Sequence, residues 1–242
     1  MSTRAMLADR GGLALLIDPA RTSPAEAALI AARAADEGIG ALMLGGSFGG
    51  DSSAAAVAQA LRAGAPGIPL LQFPATAAAL IADVDAVLLL SLVSGRNAQY
   101  LIEEHVRAVP FFASNPQVEA ISTAYVLIDG GHVTSVEAVS QTRPLPADKP
   151  ELVAAHVRAA MLIGMQAAYL DAGSGAGRPV SPPLVRAARA ATRSLLLVGG
   201  GIRDADTVRA ARDAGADFVV VGSSVEEGGA RVVRALANAA RA

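Results

Sequence analysis

The sequence predicts a single α/β domain built as a TIM (β/α)8 barrel, and three observations point there. Eight short apolar runs punctuate the chain, alanine-rich amphipathic stretches separate them, and glycines and polar residues gather just after the runs. Runs that are continuously apolar, without alternation, mark strands of a parallel sheet buried on both faces. Eight strand–helix units in 242 residues suit such a barrel, which takes about 250 residues. A doubly wound open sheet is the other arrangement of the same alternation.

In chain order, strands are expected at Leu13–Ile17, Ala41–Leu44, Ile68–Phe73, Ala86–Leu90, Ala124–Ile128, Ala167–Leu170, Leu195–Val198 and Phe218–Val221. Helices are expected at Pro24–Glu37, Ser53–Ala63, Pro150–Ile163, Pro182–Ala191 and Ala205–Ala214. Proline or serine opens most of these, as suits a first helical turn. Three intervals depart from the pattern. After Phe73, PATAAALIADVDA is short for a crossover helix, so the third helix should be shortened or irregular. Asn115–Ile121 reads as a polar insertion before the fifth strand, and Thr134–Lys149, Pro-rich and polar, reads as a long loop shaping a substrate mouth.

Composition narrows the function. With 52% apolar residues, residues 1–242 can bury one sizeable core. Charged residues are 17%, and 20 basic side chains nearly balance 22 acidic ones, so no field favours nucleic acid. The absence of cysteine excludes disulfides, thiolate zinc sites and a cysteine nucleophile. MSTRAMLADRGG lacks the features of a secretion signal and no apolar run spans a bilayer, so a soluble cytoplasmic protein is expected.

In a barrel the active site lies at the C-terminal strand ends, and glycine and polar residues collect there repeatedly. The loops GGGIRDAD and VGSS follow strands seven and eight, the usual phosphate cradle of barrels. Gly199, Gly200, Gly201, Gly222 and Ser223 are the candidate donors. Asp18 ends strand one, where a carboxylate facing the mouth needs a metal, a proton or a hydrogen-bonding substrate; capping the next helix or pairing with Arg21 is the plainer use. Ser47, ending strand two, could bring a hydroxyl to the same magnesium ion, which prefers hard oxygen ligands. Alternation in Tyr169-Leu170-Asp171 turns the phenol and the carboxylate inward and Leu170 toward a helix. Tyr169 and Asp171 are the candidate catalytic pair, able to orient and deprotonate a hydroxyl, and all three residues are included in the substrate-binding run.

Other polar residues carry plainer readings. His105, His132 and His156 have no metal-ligand spacing and suit surface or cap positions. Glu226 and Glu227 suit a helix N-terminus, Asp83 and Asp85 a solvated turn, Asp129-Gly130-Gly131 a turn, and Arg96-Asn97 a helix start or an anion contact.

Taken together, LALLIDPAR, ALMLGGSFG, LLQFPAT, LLLSLVSGRN, YVLIDGG, TRPLPADKPE, AAYLDAGSGA, LLLVGGGIR and AGADFVVVGSSVEE resemble, in order, the geranylgeranylglyceryl phosphate synthase family that includes the PcrB-type heptaprenylglyceryl phosphate synthases. The resemblance spans Leu13 to Glu227, and the SGRN, IDGG and YLDAGSGA spellings look closest to the bacterial, Bacteroidetes-like branch. It implies a barrel without a normal third helix and a magnesium-dependent transfer of a polyprenyl group, such as geranylgeranyl, from its diphosphate to sn-glycerol 1-phosphate. Asp18 and Ser47 then match the metal and diphosphate residues, Tyr169 and Asp171 those contacting glycerol, and Gly173, Gly199, Gly201, Gly222 and Ser223 those contacting its phosphate. It further implies phospholipid biosynthesis, brief membrane-surface contact for a lipid product, no nucleic acid, and a homo-oligomer, dimer or hexamer.

Departures are visible. DPAR stands where the family often has DPDK, so Ala20 and Arg21 replace an acid and a lysine; Ala75 stands for a usual glycine and Gln141 for a frequent asparagine. Alternatives are a different acceptor such as 3-phosphoglycerate, a phosphate-binding barrel isomerase using Asp18 and Asp129, or a lipid-phosphate binder without turnover.

Overall fold

The computed structural model describes residues 2–46 and 53–241. Eight parallel strands close into a barrel in sequence order: β1 (Gly12–Ile17), β2 (Ala41–Leu44), β3 (Leu70–Gln72), β4 (Ala86–Leu92), β5 (Glu119–Leu127), β6 (Ala167–Asp171), β7 (Leu195–Gly199) and β8 (Phe218–Val221). β8 returns to β1 with Gly12 opposite Phe218. All eight expected strands form, so the open-sheet alternative falls.

Alternation divides each strand between two cores. Leu13, Leu15 and Ile17 point outward to the helices, while Ala14, Met43, Leu71, Leu88, Ile121, Tyr169, Leu197 and Phe218 fill the barrel. The first helix, α1 (Thr3–Arg10), places Leu7 against this inner cluster. The outer layer comprises α2 (Pro24–Asp36), α3 (Ala54–Gly64), α4 (Glu104–Ser114), α5 (Ser135–Ser140), α6 (Pro150–Leu162), α7 (Pro182–Ala191), α8 (Ala205–Asp213), α9 (Ser223–Gly228) and α10 (Ala230–Arg241). At α2, Ser23 and Glu26 form a reciprocal capping box behind Pro24, which satisfies two otherwise orphaned N–H groups.

The third crossover is indeed shortened: only a single 3-10 turn, Ala77–Ala79, lies between β3 and β4. Two side chains do the work of the missing helix. Gln72, buried, donates to Ala79 O at 2.7 Å and accepts from Ile81 N at 3.1 Å, and Glu104 accepts from Ala77 N at 2.8 Å.

Three expectations need correction. β5 begins at Glu119, inside the supposed polar insertion, because Glu119 pairs with Ala86 of β4 and its N–H bonds Asp85 O at 3.1 Å, while Gln166 hydrogen-bonds Ser122 and Thr123 bonds Ile121 O further along the strand. The 134–149 loop contains α5 and a bridge pairing Ile128 with Leu145. Asp83 and Asp85 are held by Arg62 at 2.8 and 3.0 Å, and Asp85 also accepts from Leu70 N, which ties β3 to the turn before β4. Among the described residues no helix is long and apolar enough to cross a membrane.

Candidate active site

A cavity of about 270 Å³ opens at the C-terminal ends of the strands. Its floor is aromatic: Phe73, Tyr125 and Tyr169, from the ends of β3, β5 and β6, meet at ring-centroid distances of 5.4–5.7 Å. Asp171 stands two residues after Tyr169 on the same inward face. Its Oδ2 accepts the Tyr125 hydroxyl at 2.6 Å and its Oδ1 accepts the Gly173 N–H at 2.8 Å. Burial pushes the Asp171 carboxyl above the usual carboxylate range, with these two hydrogen bonds pulling the other way. Burial, and then the Asp171 charge, hold both phenols well above their ordinary values. A carboxyl raised in this way is a stronger base than an ordinary carboxylate.

Tyr125 is a site residue that sequence reasoning missed. It lies 44 residues before Tyr169 in the chain, but the β5–β6 register sets Tyr125 directly beside Tyr169, and that register was the available signal.

The glycine loops divide into two tasks. Gly200, Gly201, Gly222 and Ser223 line the cavity, as does Gly175. Gly199 does not: it sits inside β7, where a Cβ would come within 2.4 Å of the Tyr169 hydroxyl, so its smallness admits the phenol. Gly173 does not line the cavity either, and its N–H is taken by Asp171. The Leu170 side chain packs in the outer core, since alternation turns it away from the mouth.

Asp18 lies at the cavity edge, with Oδ1 accepting Ala20 N at 2.9 Å. Gly46 closes over it, and a Cβ there would stand 2.7 Å from Asp18 Oδ1. Arg21 does not pair with Asp18; it meets Glu226, another cavity residue, at 3.0 Å. Burial raises the Glu226 carboxyl, Arg21 opposes this, and Asp18 and Glu227 add to it. Glu226 therefore has more than a helix-end role. Ser47 lies outside the described residues. Among those described, no group of three or more His, Asp or Glu could hold a metal alone.

Toward β4 the cavity becomes apolar. Leu90 faces the barrel and Leu89 its outside, yet both line the cavity together with Leu80, Ala108, Val136 and Val139. The lining thus passes over β4 through the gap left by the missing helix. His105 forms part of this wall, its Nε2 2.8 Å from Leu90 O, and is neither on the open surface nor at a cap. His132 is exposed, and His156 is half-buried on α6 with its Nδ1 2.7 Å from Leu152 O. Asn97 starts the helical segment ahead of α4 by accepting Gln99 N, and Arg96 bonds backbone oxygens. Asp129 is exposed, accepts Gly131 N and meets Arg178 at 3.5 Å, and it does not line the cavity. The carboxylate pair required by the isomerase alternative is therefore not brought together.

The PcrB family model matches residues 7–240. The chain belongs to the PcrB family. Relatives named geranylgeranylglyceryl phosphate synthase include one from Spirosoma linguale, 38% identical with 91% of this chain and 88% of the relative covered, and one from Methanothrix thermoacetophila, 42% identical with 88% and 83% covered. Among solved structures, (S)-3-O-geranylgeranylglyceryl phosphate synthase from Thermoplasma acidophilum, in complex with sn-glycerol-1-phosphate, superposes with a TM-score of 0.90 at 28% identity, covering 99% of this chain and 98% of that one. A thiamine phosphate pyrophosphorylase from Pyrococcus furiosus shares the barrel fold alone, at 15% identity and a TM-score of 0.61.

Proposed function

We propose that the chain is a polyprenylglyceryl phosphate synthase that joins sn-glycerol 1-phosphate to a polyprenyl diphosphate, geranylgeranyl diphosphate being the donor that the relatives' name suggests. The observation that carries this reading is one cavity with two chemistries: a carboxylate and glycine loops at β6–β8, continuous with an apolar passage over β4. Such a cavity suits a small phosphorylated polyol at one end and a hydrocarbon chain at the other.

In this reaction a C–O bond forms between the acceptor's free sn-3 hydroxyl and the first carbon of the prenyl chain, the bond from that carbon to the diphosphate oxygen breaks, and diphosphate leaves. Asp171 receives the hydroxyl proton; its raised basicity and its fixed position between Tyr125 and Gly173 suit that role. Tyr169 orients the acceptor. The ring faces of Phe73, Tyr125 and Tyr169 favour a carbon that becomes partly positive as diphosphate departs. The backbone N–H groups of Gly200, Gly201, Gly222 and Ser223, residues that line the cavity, suit a phosphate.

Asp18 is the residue that would hold magnesium, with substrate oxygens completing the shell. The place fits: a hard oxygen donor whose room depends on Gly46 having no side chain, with Glu226 adding negative potential. When bound, magnesium neutralises charge growing on the departing diphosphate.

The test is incorporation of labelled glycerol 1-phosphate into solvent-extractable lipid with magnesium and prenyl diphosphates of increasing length. Metal-dependent product that disappears in Asp18→Ala is expected; folded wild-type protein that makes no product with any donor would overturn the reading.

A further inference from the structure

The charged lining of the cavity is lopsided. Among the described residues, the carboxylates of Asp18, Glu104, Asp171 and Glu226 face a single guanidinium, Arg203. Glu104 and Glu226 are offset by arginines, whereas Asp18 and Asp171 accept only neutral donors, so an anionic substrate still meets an excess of negative charge. Ala20 N–H bonds Asp18, Ala77 N–H and Arg107 hold Glu104, Tyr125 and Gly173 hold Asp171, and Arg21 holds Glu226.

Arg203 differs from all four. It is exposed at the rim and has no hydrogen bond or ion pair among the described residues. The neighbouring carboxylates that could have neutralised it are committed elsewhere: Asp204 caps α8 by accepting Thr207 N at 2.8 Å, and Asp206 meets Arg209 at 2.8 Å. The loop that carries Arg203 also carries Gly200 and Gly201, both with left-handed φ of +80° and +69° and both lining the cavity. Backbone N–H groups orient a phosphate but bring no net charge, and no lysine lines the cavity among the described residues. A free guanidinium beside them supplies that charge with two parallel donors, matched to phosphate oxygens.

We infer that Arg203 recognises the phosphate of the acceptor, making the site selective for a phosphate monoester over an uncharged polyol. The inference rests on the synthase reading for the identity of the acceptor. The side of the cavity decides which anion is meant: β7 lies next to β6, with Asp171 beside Gly199, whereas Asp18 and Gly46 follow β1 and β2. Arg203 therefore serves the phosphate whose alcohol reaches Asp171, not the diphosphate.

Calorimetric titration of the whole chain with inorganic phosphate and with sn-glycerol 1-phosphate, without donor or metal, tests this. Arg203→Ala should weaken both ligands roughly 10- to 100-fold, the span for a charge-assisted contact, and reduce their salt dependence. Arg203→Lys, which keeps the charge and loses the fork, should fall between. In turnover, KM for the acceptor should rise while KM for the donor stays within about twofold. The melting temperature should not change, since Arg203 has no protein partner; should the alanine variant be unstable, Arg203→Gln gives the same comparison. Unchanged affinity in Arg203→Ala, or a wild-type chain that binds no phosphate, overturns the inference. A wild-type chain that binds inorganic phosphate but not glycerol 1-phosphate overturns the acceptor assignment instead, and the inorganic phosphate series alone then decides the role of Arg203.

Discussion

Replacing Tyr125 with phenylalanine removes one oxygen and keeps the ring that meets Phe73 and Tyr169. That oxygen is the donor at 2.6 Å to Asp171 Oδ2, a carboxylate only 7% exposed. Leaving a buried acceptor without its donor costs about 1–3 kcal/mol when the acceptor is ionised. In a chain of this size each kcal/mol lowers Tm by about 2–4 °C. The penalty depends on pH. Burial already raises the Asp171 carboxyl, and the Tyr125 hydrogen bond opposes that rise, so in Tyr125→Phe the carboxyl rises further. Well below the raised value Asp171 is protonated in both proteins, no longer needs the donor, and the difference in stability should shrink. The assay is urea unfolding of both proteins at about pH 5 and about pH 8, with a larger gap at the higher pH. The same protonation should move the acid limb of the turnover profile to higher pH. A gap that is equal at both pH values, or absent at pH 8, would refute the account of Asp171 as an ionisable group held by Tyr125.

Asp171→Asn should separate stability from chemistry. Because the folded chain holds this proton more tightly than the unfolded chain does, the contribution of Asp171 is favourable below the ordinary carboxylate range and is lost as pH rises through the raised value. The asparagine variant, whose Oδ1 can accept Gly173 N–H while its Nδ2 donates to the Tyr125 hydroxyl, should therefore melt no lower than wild type at neutral pH while turnover falls by about 100-fold or more; near-normal turnover would contradict the base assignment. Gly199→Ala should cost about 1–3 kcal/mol, because its Cβ would overlap the Tyr169 hydroxyl, whereas Gly222→Ala, whose nearest neighbour would be 3.5 Å away, should leave Tm unchanged. Differential scanning calorimetry compares them, and equal costs would show that Gly199 does not serve Tyr169.

How much of this was legible depended on whether the cause was local. A buried parallel strand writes itself as a continuous apolar run, so all eight strands were readable, and the short stretch after Phe73 announced a shortened third helix by its length. Alternation alone placed Tyr169 and Asp171 on one inward face. Tyr125 escaped because its partner Asp171 lies 46 residues away and is met only through strand register. Glu226 escaped because its meaning depends on Arg21 reaching across the barrel closure from β1 to α9. The start of β5 was misread because Glu119 looks like a loop residue until its N–H bonds Asp85 O and it pairs with Ala86 of β4. Gly199 and Gly173 were readable as necessary glycines, but only packing reveals that one admits a phenol and the other gives its N–H to a carboxylate.

The most direct test of the central claim is mass-spectrometric identification of the product formed from geranylgeranyl diphosphate, magnesium and each enantiomer of glycerol phosphate. The account predicts an ether-linked prenylglyceryl phosphate from sn-glycerol 1-phosphate, with its yield lost in Asp171→Asn. A free prenyl alcohol as sole product, or ether formed equally well by the asparagine variant, would contradict it.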